Sequence, residues 1–70
     1  MTKQQAKANA LDFLSEFVNE MRRARTEREH NVAWGKFLGA RMVYELQGII
    51  TKRDHQALTN DAINMVSPAR

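Results

Sequence analysis

Three groups of polar side chains in this sequence have types and spacings that could do chemistry. The first is Asp12, Glu16 and Glu20, which recur every fourth residue and so share one face of a helix, where paired carboxylates could act in acid–base catalysis. On a helix whose opposite face is apolar, this spacing is more typical of a solvated polar face. Glu20 could also pair with Arg23 across one turn. We interpret the three carboxylates as solvent-facing.

The second group is Glu27, His30, Asn31 and Trp34, which lie within two helical turns. A carboxylate, an imidazole and an indole together could bind a small ligand or a cation. The simpler interpretation is that His30 and Trp34, one turn apart, lie at the edge of the core. A single histidine without a nucleophile identifies no reaction.

The third group is His55 beside Asp54, which we interpret as a partly buried histidine near the start of a helix. The sequence has no cysteine, no HExxH spacing, no Gly-rich phosphate loop and no G-x-S-x-G motif. It therefore predicts a non-enzyme without catalytic residues, metal or cofactor.

The length of the chain limits the size and the stability of the fold that carries these groups. Seventy residues can form one small domain, whose apolar burial barely offsets the entropy lost on folding. Without cysteine there is no disulfide, so oligomerisation is the remaining source of extra stability. Charged residues interrupt the most apolar segment and the N-terminus is polar, so we expect a cytoplasmic protein with no membrane contact.

The patterning predicts an all-α fold with helices at about 2–25, 27–47 and 52–66, followed by a tail at 67–70. Capping-box patterns at Thr2 and Thr26 and an N-cap at Thr51 would begin the three helices, and Gly48 would end the second. The first two helices should form an antiparallel hairpin, with the third as a short C-terminal addition. Two alternatives stay open at the first break: an N-cap at Asn31, or one continuous helix to residue 46.

The first helix has one apolar face, whereas the second has two. We call these two faces the Met42 stripe and the Phe37 stripe. The Met42 stripe consists of Val32, Trp34, Gly35, Leu38, Gly39, Met42, Val43 and Leu46. The Phe37 stripe consists of Ala33, Phe37, Ala40 and Tyr44. A helix in a two-layer protein needs only one apolar face, so the second helix should have two neighbours. One is the first helix, and the other is either the third helix or another protein chain.

We expect the other two helices to cover the Met42 stripe, leaving the Phe37 stripe for a second chain in a dimeric helical bundle. The predicted core is then Leu11, Leu14, Phe17, Val18, Met21, Trp34, Leu38, Met42, Leu46 and Leu58. The predicted interface is Phe37, Arg41 and Tyr44, with Arg25 and Arg28 at its edge, because aromatic residues and arginine are enriched at binding hot spots. The alternative is that the two stripes exchange roles.

Nucleic acid is the rival partner, because the formal net charge is +3 and "RRARTER" is rich in arginine. From Asp12 to His30, however, four arginines face five carboxylates, whereas nucleic-acid binding needs uncompensated positive charge on one face. Lys52 and Arg53 on the third helix are likewise accompanied by Asp54 and Asp61. Nucleic-acid binding is therefore the less favoured alternative.

The segment "LQGIITKRDHQAL" resembles a turn-plus-helix ending found in many small helical bacterial and phage proteins, including the short C-terminal helical domain family. Leu46, Ile50, Thr51, Asp54 and Leu58 match its outline. With "AWGKFLGARMVYEL", the chain also looks like small accessory proteins of temperate phages and prophages. That resemblance implies a regulatory or accessory protein that binds a host protein. A subunit of a larger assembly is a further alternative.

Overall fold

Three α-helices and no β-strand make up residues 2–66, the part of the chain that the computed structural model describes. They are α1 (Lys3–Arg23), α2 (Glu27–Leu46) and α3 (Lys52–Val66). The all-helical prediction is confirmed, and each observed end lies within two residues of the predicted one. The predicted tail at 67–70, with its helix stop at Ser67 and Pro68, lies outside the described residues.

Reciprocal hydrogen bonds between residues three apart begin α1 and α3. At α1 the Gln5 backbone N–H donates to the Thr2 hydroxyl oxygen at 3.1 Å, and the Thr2 N–H donates to the Gln5 side chain at 3.2 Å. At α3 the Asp54 N–H donates to the Thr51 hydroxyl at 3.3 Å, and the Thr51 N–H donates to the Asp54 carboxylate at 2.8 Å. Each pair satisfies N–H groups that have no partner within the helix.

The break between α1 and α2 is built in the same way at Thr26. Ala24 leaves helical geometry with ψ of 135°, and Thr26 and Glu29 form the predicted capping box. The Glu29 carboxylate also accepts the N–H of Arg25 at 2.8 Å. These bonds replace the helical ones that a continuous helix would make, so the alternatives of an uninterrupted helix and of an N-cap at Asn31 are both wrong.

Gly48 ends α2 in the left-handed region, with φ of 73°. Its N–H donates to the Glu45 carbonyl oxygen and the Ile49 N–H donates to the Tyr44 carbonyl oxygen, each at 3.0 Å. This is the Schellman arrangement, which satisfies carbonyl groups at a helix end. The turn then places Ile50 in the core.

The core lies where α1 packs against both α2 and α3. α1 runs antiparallel to α2, since Glu20 lies beside Lys36 and Phe13 beside Tyr44. An ion pair of 3.3 Å between Lys7 and Asp54 joins α1 to α3. The buried apolar residues are Ala10, Leu14, Val18, Met21, Ala33, Phe37, Ile50 and Ala62. Leu11, Phe17, Trp34, Leu38 and Leu58 are half-buried against them.

The two stripes of α2 have the opposite roles to those predicted. Phe37, expected at an interface, is 0% exposed within the single chain, whereas Met42 and Leu46, expected in the core, are 57% and 82% exposed. Two features place the Phe37 stripe inside. The small residues Ala33 and Ala40 flank Phe37 and let its ring enter the core, and α1 and α3 both reach α2 from this side.

Candidate protein-interaction surface

The most distinctive surface of the molecule is the Met42 stripe of α2. Val32, Met42, Val43 and Leu46 are exposed on it, while Trp34 and Leu38 at its border are half-buried. Isolated exposed apolar residues are common in proteins, but contiguous ones mark binding sites. Val32, Gly35, Gly39, Met42 and Leu46 follow one another at steps of three or four residues, so they lie along one face of the helix.

Two glycines lie in the middle of this surface. A Cβ atom added to Gly35 or Gly39 would meet no heavy atom within 4 Å, so nothing in the fold of residues 2–66 requires glycine there. Glycine in a helix interior costs about 0.5–1 kcal/mol relative to alanine. Gly35 is exposed and Gly39 is half-buried, and neither places a side chain between Val32 and Met42.

Charged pairs border the Met42 stripe on both sides. On one side the Lys36 ammonium lies 3.5 Å from the Glu20 carboxylate of α1. On the other side Nε of Arg41 lies 3.6 Å from Oε1 of Glu45. Glu20 therefore pairs with Lys36, and not with Arg23 as the sequence suggested. An apolar centre with a charged rim is the usual composition of a protein–protein interface.

A buried hydrogen-bonded network behind Glu45 joins α3 to α2. Nε2 of His55 donates to Oε1 of Glu45 at 3.0 Å, since a carboxylate can only accept, and Nδ1 lies 2.8 Å from the Thr59 hydroxyl. These residue types match a nucleophile–base–carboxylate triad. His55 and Thr59 are only 3% and 7% exposed, so both residues lie inside the fold. The network satisfies buried polar groups and fixes the position of α3.

The predicted interface residues do not form an exposed patch. Phe37 is in the core, with its ring stacked on Trp34 at a centroid distance of 6.0 Å. Tyr44 is half-buried, and its ring meets that of Phe13 of α1 edge-on, with 6.4 Å between the ring centroids. Arg41 is half-buried, and its Nε atom lies 3.6 Å from Oε1 of Glu45 without a hydrogen-bond partner among the described residues.

The arginines near the α1–α2 turn lie among carboxylates. Arg25 and Arg28 are exposed, but Phe37, the residue at the centre of the interface that they were predicted to border, is buried. An open cleft of about 390 Å³ beside the turn is lined by Glu20, Arg23, Ala24, Arg28, Glu29 and Val32. Its two arginines face two glutamates, so it has no excess of positive charge for a phosphate.

The other polar groups singled out in the sequence are dispersed. Asp12 and Glu16 are exposed on the polar side of α1. Glu27 and Asn31 are exposed, while His30 is half-buried, with an Nε2 atom that has no hydrogen-bond partner among the described residues. Within residues 2–66, no three acidic or histidine side chains come together as a metal site would require.

Sequence reasoning missed Val32, Met42 and Leu46 as surface residues, although one signal was available. Together with Gly35 and Gly39 they alternate steps of three and four residues, the repeat of a helix that packs along another helix. The surface was instead assigned to the stripe with more aromatic side chains.

No helix in the described part of the chain is long and apolar enough to cross a membrane. No protein-family model matches the sequence, and neither the curated proteins nor the solved structures contain a significant match.

Proposed function

We propose that this chain is a non-enzymatic regulatory or accessory protein that acts by binding another protein through the Met42 stripe of α2. The observation that supports this proposal most is the exposure of Met42 and Leu46 beside two glycines that the fold itself does not need. Burying a Leu or Met side chain fully contributes about 1.5–3 kcal/mol, which this chain leaves unused. A partner with an apolar helix or groove would recover it.

The apolar character of the surface favours a protein over nucleic acid. A phosphate-driven complex weakens steeply as salt rises, because counterions are released when it forms. A complex through Val32, Met42 and Leu46 should depend little on salt, since its main contribution is apolar burial. A role as a phage or prophage accessory protein that binds a host protein rests on the sequence resemblance alone.

The test is affinity capture from the source cell with three forms of the full chain. The first is the natural sequence, and the second carries Met42→Asp and Leu46→Asp. The third is a matched control with Ala8→Asp and Ala57→Asp, which places the same charge at exposed positions on α1 and α3. Circular dichroism verifies that all three forms are helical.

The proposal expects a protein that the natural chain and the control retain and the Met42/Leu46 variant loses. The purified partner should bind again directly, with similar affinity at about 50 and 200 mM salt. A partner that all three forms retain equally would place the binding site elsewhere. A nucleic acid whose binding disappears at the higher salt would favour the rival function.

A further inference from the structure

Six residues of α2, of which five are exposed and Gly39 is half-buried, follow a regular spacing. Arg28, Val32, Gly35, Gly39, Met42 and Leu46 follow one another at steps of four, three, four, three and four. We call these six residues the seam. Steps of three and four repeat every seven residues, and such a stripe lets two helices pack side by side with a slight left-handed crossing.

The seam reads the same in both directions from the level of residue 37. Equal steps from that level reach Gly35 and Gly39, then Val32 and Met42, and finally Arg28 and Leu46. A twofold symmetric interface requires such self-complementarity, because each residue must meet its counterpart from the other end of the same surface.

From this spacing, the open glycines at its centre and the charges at its two ends, we infer that the Met42 stripe binds a second copy of this chain, with the two α2 helices antiparallel about a twofold axis at the level of residue 37. This inference deepens the proposed function and rests on it, since it names a second copy of the chain as the protein that the Met42 stripe binds. The glycines of one copy would lie against those of the other. With no side chain between them, the two backbones can approach closely at the centre of the seam.

Charge complementarity supports the antiparallel direction. Arg28 is exposed at the N-terminal end of the seam, whereas the last turn of α2 has no basic residue and carries Glu45. The antiparallel arrangement brings each Arg28 to the C-terminal end of the other α2, where the helix dipole favours a cation. A parallel arrangement would instead place the two Arg28 side chains together, which is unfavourable.

The residues that flank the seam also fit the axis. Leu38 of each copy would lie beside the other Leu38 near the axis, and both are half-buried in the single chain. Lys36 would approach its own counterpart on the opposite side. The Glu20 carboxylate, 3.5 Å from each ammonium, offsets that repulsion.

The dimensions indicate a weak dimer. A helix of 20 residues is about 30 Å long, and one face of it buries less than the roughly 800 Å² per partner of a standard interface. We therefore expect a dissociation constant on the order of 10 µM, at the weak end for specific complexes.

Sedimentation equilibrium of the full chain, compared with two variants, tests the dimer. Gly39→Leu should weaken dimerisation by at least about tenfold, because the side chain separates the backbones. The variant monomer should melt at the same temperature or higher, since leucine is the better helix former and the position is open. The matched control, Ala57→Leu, adds the same side chain to an exposed position on α3 and should leave the dissociation constant unchanged.

Disulfide cross-linking tests the direction, because the chain has no cysteine of its own. A mixture of the single variants Val32→Cys and Met42→Cys should form the mixed disulfide in preference to either symmetric one. Efficient cross-linking of Val32→Cys with itself would mean a parallel pair and would overturn the inference. A monomer at several hundred micromolar, well above the dissociation constant expected for the dimer, would overturn it too. That monomer result would leave the capture experiment with Met42→Asp and Leu46→Asp as a separate test of the proposed function.

Discussion

Truncation of Phe37 is the most direct test that the Phe37 stripe is the core and the Met42 stripe is the surface. The ring is 0% exposed, stacks on Trp34 and lies among the buried side chains of α1. Replacing a buried phenylalanine by alanine removes its transfer free energy and leaves a cavity, at a cost of about 3–5 kcal/mol. At roughly 0.05–0.15 kcal/mol per residue, this 70-residue chain has a free energy of unfolding of about 3.5–10 kcal/mol. Phe37→Ala should therefore remove between about a third and all of the free energy of unfolding at 25 °C.

Urea unfolding followed by circular dichroism, at about 0.5 µM protein so that most of the chain is monomeric, measures this loss. Phe37→Leu keeps part of the volume and should remain folded, with a loss of about 1–2 kcal/mol. Leu46→Ala is the control, since its side chain is 82% exposed and its loss should stay within about 0.5 kcal/mol. If Leu46→Ala destabilised the monomer more than Phe37→Leu, the Met42 stripe would be the core and our reasoning would be refuted.

Three further predictions concern single positions at the helix ends and on the surface. Thr26→Ala removes the N-cap of α2 and should lower the free energy of unfolding, measured in urea, by about 1 kcal/mol. Thr26→Ser keeps the hydroxyl and should lower it less, so equal losses would argue against the cap. Gly48→Ala should destabilise the protein by about 1–2 kcal/mol, because φ at this position is 73°. Gly35→Ala should stabilise it by about 0.5–1 kcal/mol, because Gly35 lies in a helix and an added Cβ meets no atom. A change of stability in the same direction for both variants would contradict the backbone argument. The pKa of Asp54 lies below its ordinary value of 3.8, chiefly because the backbone N–H of Thr51 donates to the carboxylate. The ionised carboxylate therefore stabilises the folded state above the ordinary pKa, and this contribution is lost as pH falls through the lowered pKa. When the free energy of unfolding is measured as pH falls below about 4, Asp54→Asn should lose less stability than the natural chain. An equal loss in both proteins would refute the assignment.

The helices and their ends could be predicted from the sequence because the interactions that set them are local. The bonds between Thr26 and Glu29 join residues three apart, and those at Thr2 do the same. The left-handed conformation at Gly48 depends on the absence of a Cβ atom. None of these interactions requires a neighbouring helix, so the sequence pattern was sufficient to find them.

The orientation of α2 about its own axis could not be obtained in that way. Both stripes carry enough apolar surface to pack against α1, and the hydrophobic effect has no direction that would select one of them. The choice depends on fit: Phe37 enters the core between two alanines, and Tyr44 meets Phe13 edge-on. Such fit is a property of two helices together and cannot be read from the periodicity of one.

The candidate surface follows from that same choice. The sequence by itself determined that α2 has one apolar face more than a small hairpin needs, since the spacing of its residues defines both stripes. Only the tertiary structure decided that the face with Met42 and Leu46 stays exposed. The physical reason is that α1 and α3 approach α2 from one side, with α3 held there by the bond between His55 and Glu45, so their packing buries Phe37 and leaves the opposite face of the helix in water.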